Sequence, residues 1–205
     1  MFSPFFQLER FAGFQVLRLH SGDDTNRLTR ACVQKLTAAI RELSQAAEPL
    51  IITGNNRFFS TGADLHEIAN LTGPAAYQFS QMGQELMELI GAFSAPVVAA
   101  INGYCMGGGL DLALACHLRI ASPHAVFGHR GAALGLITGW GGTQRLPRLI
   151  GKAKALEMFL TAEKIRAAEA WRIGLVDSIA AEPVEEAARQ IIGMRAKADL
   201  LPPLE

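Results

Sequence analysis

Residues 97–116 read Val97-Val98-Ala99-Ala100-Ile101-Asn102-Gly103-Tyr104-Cys105-Met106-Gly107-Gly108-Gly109-Leu110-Asp111-Leu112-Ala113-Leu114-Ala115-Cys116. An apolar run of strand length leads to three adjacent glycines, and an apolar helix is predicted over 110–116. Three glycines let the backbone bend and let a ligand come close to it. A helix start presents unpaired N–H groups and a partial positive charge. Asp111 falls in the first turn. Such a place suits a developing oxyanion, with a carboxylate at hand to move a proton.

The same alternation of short buried strands and helices runs outward in both directions. Strands are predicted at Phe14–Leu19, Leu50–Thr53, Val97–Ile101, Leu118–Ala121 and 125–127. Helical spacing predicts helices over 29–43 with Thr29 as N-cap, then 63–69 and 74–93. After residue 140 the pattern is mostly helical, over 141–149, 152–160, 167–173 and 184–198. The fold class is α/β. No linker, low-complexity segment or strict repeat divides the chain.

A second segment resembles the first in kind: Phe58-Phe59-Ser60-Thr61-Gly62-Ala63-Asp64-Leu65. It follows the strand Leu50–Thr53 and enters a short helix. Two such turns can each give one N–H to an anion site. Packing turns rich in glycine are ordinary, so composition alone leaves a structural role open.

Of 205 residues, 50% are hydrophobic, enough for one compact domain with a real core. Lys+Arg and Asp+Glu balance at 19 each, so no basic surplus argues for nucleic acid or an anionic membrane. Aromatic residues are 7%, too sparse for a base-stacking surface. Cys32, Cys105 and Cys116 are too few and scattered for a disulfide framework and suit a reducing compartment. The first residues lack the basic start and apolar run of a signal peptide, and no stretch has the length of a bilayer span. These features predict a soluble, cytoplasmic protein. His117, His124 and His129 with Cys116 lack a zinc spacing, so no metal is expected. No Gly-x-Ser-x-Gly elbow supplies a hydrolase nucleophile, and no lysine follows a glycine run as in a P-loop.

Three ordered motifs carry a family resemblance. They are Phe59-Ser60-Thr61-Gly62-Ala63-Asp64-Leu65, Asn102 to Ala113, and Gly141-Gly142-Thr143-Gln144-Arg145-Leu146-Pro147-Arg148-Leu149-Ile150-Gly151. Ala168-Glu169-Ala170-Trp171-Arg172-Ile173-Gly174-Leu175-Val176-Asp177 follows. Together they resemble the crotonase superfamily, the enoyl-CoA hydratase/isomerase family. The resemblance implies a spiral of ββα units that binds acyl-CoA thioesters. By motif position it assigns the two oxyanion-hole amides to Ala63 and Gly108, and places the CoA adenine near Thr61 and Leu65. It implies no tightly bound cofactor, coenzyme A entering as part of the substrate. It also implies a homotrimer or a dimer of trimers.

Four departures from the family pattern stand out. Asp111 occupies a position where Glu is usual, a shorter acid/base. The second carboxylate should follow Phe127-Gly128, yet the chain reads His129-Arg130-Gly131, with Gly131 at the Glu position. His129, Arg130 and Gly131 are therefore candidate pocket residues, as is Trp140, which packing alone would also explain. The basic residue and Pro usual before Asn26-Arg27-Leu28 are missing. Last, residues 1–183 read as the spiral core and 184–205 as a truncated C-terminal helical segment. The expected function is an acyl-CoA enzyme of the hydratase/isomerase type, working through a stabilised thioester enolate. Rival readings are a carbon–carbon lyase, decarboxylase or hydrolase on a CoA thioester, and a non-catalytic acyl-CoA-binding or assembly subunit.

Overall fold

The protein's structure, a computed structural model, describes residues 2–198. In chain order the strands β1 (Phe2–Ser3), β2 (Phe6–Phe11), β3 (Phe14–Leu19) and β4 (Arg27–Leu28) precede helix α1 (Arg30–Ser44). Then come β5 (Leu50–Thr53), β6 (Phe58–Ser60), β7 (Gly62–Ala63), α2 (Leu65–Ala69) and α3 (Gly73–Gly91). The centre is β8 (Val97–Ile101), β9 (Tyr104–Met106), α4 (Gly108–Ala115), β10 (Leu118–Ala121) and β11 (Val126–Gly128). A 3-10 helix at Arg130–Leu134 leads to α5 (Gly142–Ile150), α6 (Lys152–Thr161), β12 (Ile165–Arg166), α7 (Ala167–Arg172), β13 (Ser178–Ile179) and α8 (Pro183–Ala198).

Seven strands form the large sheet in the order β1-β2-β3-β5-β8-β10-β13, parallel from β3 onward. β5 and β8 are buried along their whole length because both faces are covered. Side chains alternate between those faces. Val16, Ile51, Val98, Ala100 and Ile120 meet Ala187 and Ile191 of α8. Leu17, Ile52, Ala99 and Ile101 share the main core with Leu36 and Ile40 of α1 and Leu86 and Ile90 of α3. Thr29 caps α1 by accepting from the Cys32 amide at 3.2 Å.

A smaller sheet, β12-β11-β9-β6, lies beside the first, with β6, β9 and β11 parallel. The chain repeats one step three times: a strand in the large sheet, a strand in the small sheet, then helix. β5 and β6 lead to α2 and α3, β8 and β9 to α4, and β10 and β11 to the 3-10 helix and α5. That is the expected spiral of ββα units.

Two expectations change. The helix predicted over 63–69 begins at Leu65, because Ala63 sits in β7 paired with β4 and Asp64 is the N-cap. Its carboxylate accepts from the His66 and Glu67 amides at 2.8 and 3.0 Å, ending the extended stretch one residue after Ala63. Neither glycine segment follows its large-sheet strand directly. The three-residue strands β6 and β9 intervene, too short for periodicity to reveal. Part of the segment 184–205 lies outside the described residues; its described portion belongs to α8.

Candidate active site

β6 and β9 run side by side, so their C-terminal ends bring Thr61-Gly62-Ala63 against Met106-Gly107-Gly108. Gly62 has φ +93°, and a Cβ there would lie 2.6 Å from the Met106 carbonyl and 2.8 Å from the Gly108 nitrogen. A Cβ on Gly108 would lie 2.6 Å from the Trp140 ring and 3.2 Å from the Ala63 nitrogen. Only glycine at both positions allows this approach. Gly108 opens α4, where its N–H has no partner within the helix. Ser60, fully buried, fixes the first segment: its hydroxyl donates to the Asn26 carbonyl at 2.7 Å and accepts from the Gly62 amide at 3.0 Å. Asn26 in turn donates to the Phe58 and Phe59 carbonyls at 2.8 and 3.2 Å.

Ala63 and Gly108 line one wall of a cavity of about 450 Å³. Ile68, Leu71, Phe79, Leu136, Ile137 and Phe159 make most of it apolar. The titratable side chains on it are Asp111, His129 and Arg130. A cavity of this size and character suits a small acyl group held at one polar spot.

Asp111 lies in the first turn of α4, 1% exposed. One carboxylate oxygen accepts from the Thr138 hydroxyl. The other, Oδ1, stands 3.5 Å from Nε2 of His129, itself 4% exposed. Neither of those two atoms has a hydrogen-bond partner. Burial pushes the Asp111 carboxyl up to about 7, against the opposing pull of the Thr138 hydroxyl, the Arg145 charge and the Gly142 amide. Burial pushes His129 down to about 4. Near neutral pH the carboxyl is thus poised to give or take a proton and the imidazole is uncharged.

Every candidate named from the sequence reaches this cavity wall: Thr61, Ala63, Leu65, Gly108, Asp111, His129, Arg130, Gly131 and Trp140. Leu65 and Arg130 are exposed there. Trp140 has both roles the sequence left open. It is buried, donates from Nε1 to the Phe79 carbonyl at 3.2 Å, and packs against Gly83 and Gly108 while facing the cavity. At Gly131 the space of a side chain is taken: a Cβ would lie 2.6 Å from the Leu136 carbonyl. Arg27, beside the missing basic residue, is engaged by Asp64 at 3.1 Å and by Asp23.

Three contributors escaped the sequence reading. Thr138 and Arg145 act on the Asp111 carboxyl, and Gly142 makes room for it. The run Gly139-Trp140-Gly141-Gly142 signals close approach, but in the sequence only Trp140 stands out as a pocket candidate, while Gly142 and Arg145 belong to a family motif with no site role attached. Among the described residues no cluster of three or more His, Cys, Asp or Glu is arranged to hold a metal ion, and no helix is long and apolar enough to cross a membrane.

The family model described as enoyl-CoA hydratase/isomerase matches residues 9–199. The chain belongs to this family. It is 40% identical over 175 residues to a crotonyl-CoA hydratase from Syntrophomonas wolfei, covering 84% of this chain and 67% of that one. Among solved structures it resembles DspI of Pseudomonas aeruginosa, with a TM-score of 0.87 at 33% identity over 98% of this chain and 77% of the other. It likewise resembles an enoyl-CoA hydratase from Bacillus anthracis, with a TM-score of 0.84 at 33% identity over 97% and 78%. The protein is an enzyme of the hydratase/isomerase family with the crotonase α/β fold, and an acyl-CoA substrate is consistent with that membership.

Proposed function

We propose that the protein hydrates a 2-enoyl-CoA thioester. The carrying observation is the close approach of the Ala63 and Gly108 backbones on a cavity that also holds the buried Asp111 carboxyl. In this reading the thioester oxygen accepts from the Ala63 and Gly108 amides. Their preorganised dipoles stabilise the enolate formed as water adds to the β-carbon, each contributing on the order of 3 kcal/mol. Asp111 handles the proton at the α-carbon. Thr61 and Leu65, beside the first donor, border the path for the CoA adenine. The named activity of the Syntrophomonas wolfei relative supports hydration over isomerisation.

Gly131 favours a second reading. Decarboxylation or carbon–carbon cleavage of a CoA thioester needs the oxyanion pocket and one acid, and a second carboxylate adds nothing to it. Crotonyl-CoA hydration, followed by loss of enoyl absorbance, separates the two. Hydration that falls by about a hundredfold or more in Asp111→Ala supports the first reading. Wild-type rates at background, with turnover of a malonyl- or β-keto-type thioester, support the second. Tight acyl-CoA binding with no turnover of any of them would leave a binding subunit.

A reducing, cytoplasmic setting fits the three buried free thiols. A trimer fits the exposed Leu156, Leu160 and Trp171, which offer apolar surface to another copy. Sedimentation equilibrium tests it.

A further inference from the structure

Asp111 Oδ1 and His129 Nε2 face each other at 3.5 Å, both buried and neither in a well-formed hydrogen bond, with the Gly142 amide also acting on the Asp111 carboxyl. Leaving two such buried atoms unmatched is costly. One proton between them satisfies both. The surroundings hold this arrangement in place. A Cβ on Gly142 would lie 2.2 Å from Oδ1 and 3.0 Å from Nε2, so glycine keeps the gap open. Phe159 packs on the imidazole with ring centres 5.2 Å apart, and Thr138 holds the far carboxylate oxygen.

Adding water across a double bond needs a proton taken from water and another given to the α-carbon. A lone carboxylate holds one proton. A carboxylate coupled to an imidazole holds up to two, the capacity of a two-carboxylate site. The position of the second carboxylate is Gly131, and the Leu136 carbonyl occupies the space beside it.

We propose that Asp111 and His129 work as one proton-sharing pair, with His129 standing in for the second carboxylate. The inference rests on the hydration reading above. The resting pair carries one proton. As the water oxygen bonds to the β-carbon, the π electrons move to the thioester oxygen at the Ala63 and Gly108 amides. The proton resting on Asp111 passes to Nε2 of His129 as the carboxylate so freed takes the water proton, and it returns to Asp111 when the α-carbon is protonated. The electrons return as a C–H bond forms at the α-carbon with a proton from the pair. One O–H bond and one π bond are broken, one C–O and one C–H bond are made, and the pair again holds one proton. His129 acts through Asp111, as a positioning residue. The other ionisable groups around the pair are Arg145 on α5, the buried Cys105 thiol on β9, and Arg130 next to His129 in the chain. The upward shift of Asp111 and the downward shift of His129 agree with a proton resting on the carboxyl side.

The test compares crotonyl-CoA hydration with α-proton exchange of butyryl-CoA in D2O across pH, for wild type, His129→Gln and Asp111→Asn. Exchange needs one proton acceptor, whereas hydration needs two proton sites. His129→Gln is expected to lose hydration kcat by about a hundredfold with KM nearly unchanged, to keep exchange within about tenfold, and to move the exchange pH profile by about one unit or more. Asp111→Asn loses both reactions. Equal losses of both reactions in His129→Gln, or unchanged hydration, overturn the pair. Wild type that exchanges without hydrating refutes the proposed function but still judges the pair, because an unmoved exchange profile in His129→Gln overturns it. Wild type that does neither overturns both. If His129→Gln fails to fold, His129→Asn takes its place.

Discussion

The two buried groups of the site impose opposite pH dependences on stability, and single substitutions separate them. Asp111 rises from 3.8 to about 7 on folding, so its proton is held more tightly in the folded state. Stability from this group is fully present below about 3.8 and is lost as pH rises toward 7, about 1.4 kcal/mol per pH unit and roughly 4 kcal/mol in all. His129 falls from 6.5 to about 4, so the folded state disfavours its proton. Its effect has the other sign: stability grows by a similar slope from about pH 4 to 6.5, roughly 3 kcal/mol in all. Between about pH 4 and 6.5 the two slopes cancel in the wild type. Asp111→Asn removes the falling slope and exposes the rising one; His129→Gln does the reverse. Urea unfolding at about pH 4.5 and 6 then gives a clear pattern. Relative to wild type, Asp111→Asn gains about 2 kcal/mol over that interval and His129→Gln loses about 2. Surface carboxylates common to all three proteins drop out of the differences. Parallel pH dependence in the three proteins would refute the assignment of these shifts to burial at the site.

Gly108→Ala puts a methyl group 2.6 Å from the Trp140 ring and 3.2 Å from the Ala63 nitrogen. Crotonyl-CoA kcat/KM is expected to fall by about 10²–10³ while the circular dichroism spectrum stays native. Gly131→Glu meets the Leu136 carbonyl, so the variant should lose roughly 1–3 kcal/mol in urea unfolding and gain no hydration rate. A faster Gly131→Glu enzyme would show that position open to a second carboxylate. The apolar wall of Ile68, Leu71, Ile137 and Phe159 predicts KM falling by about fourfold per added CH₂ between four- and six-carbon enoyl thioesters. A flat series would place the chain elsewhere.

The α/β class and the family were legible because both rest on local patterns. Buried runs such as Val97–Ile101 announce strands covered on both faces, and three glycine-bearing motifs occur in one order. What stayed hidden was most of the small sheet, of which only β11 matches a predicted strand, at 125–127. β6 and β9 are three residues each, and such runs carry no measurable period. Their existence is what brings Ala63 to Gly108, so the motif could be read while its geometry could not. The six-residue strand β2 was also missed, although Phe6 and Leu8 are buried and Gln7 is exposed between them.

The two halves of the site differ in how the chain encodes them. The amide half depends on backbone, and glycine at 62 and 108 writes its requirement directly into the sequence. The proton half depends on register between separate ββα units. Gly128 pairs with Met106 in the small sheet, and the Gly107 amide donates to the Gly128 carbonyl at 2.9 Å. That alignment brings His129, the next residue, beside the first turn of α4. Gly142 then leaves the volume in which carboxylate and imidazole meet. Along 128–131 the sequence marks His129 only as a candidate pocket residue and not as the partner of Asp111, because histidine after a short strand is equally at home on a surface. Glycine at 131 removes one acid, and glycine at 142 admits another partner for the acid that remains. Singly, the first looks like lost hydratase chemistry; together with Gly142 and His129, it fits the proposed transfer of the second proton site to the imidazole beside Asp111.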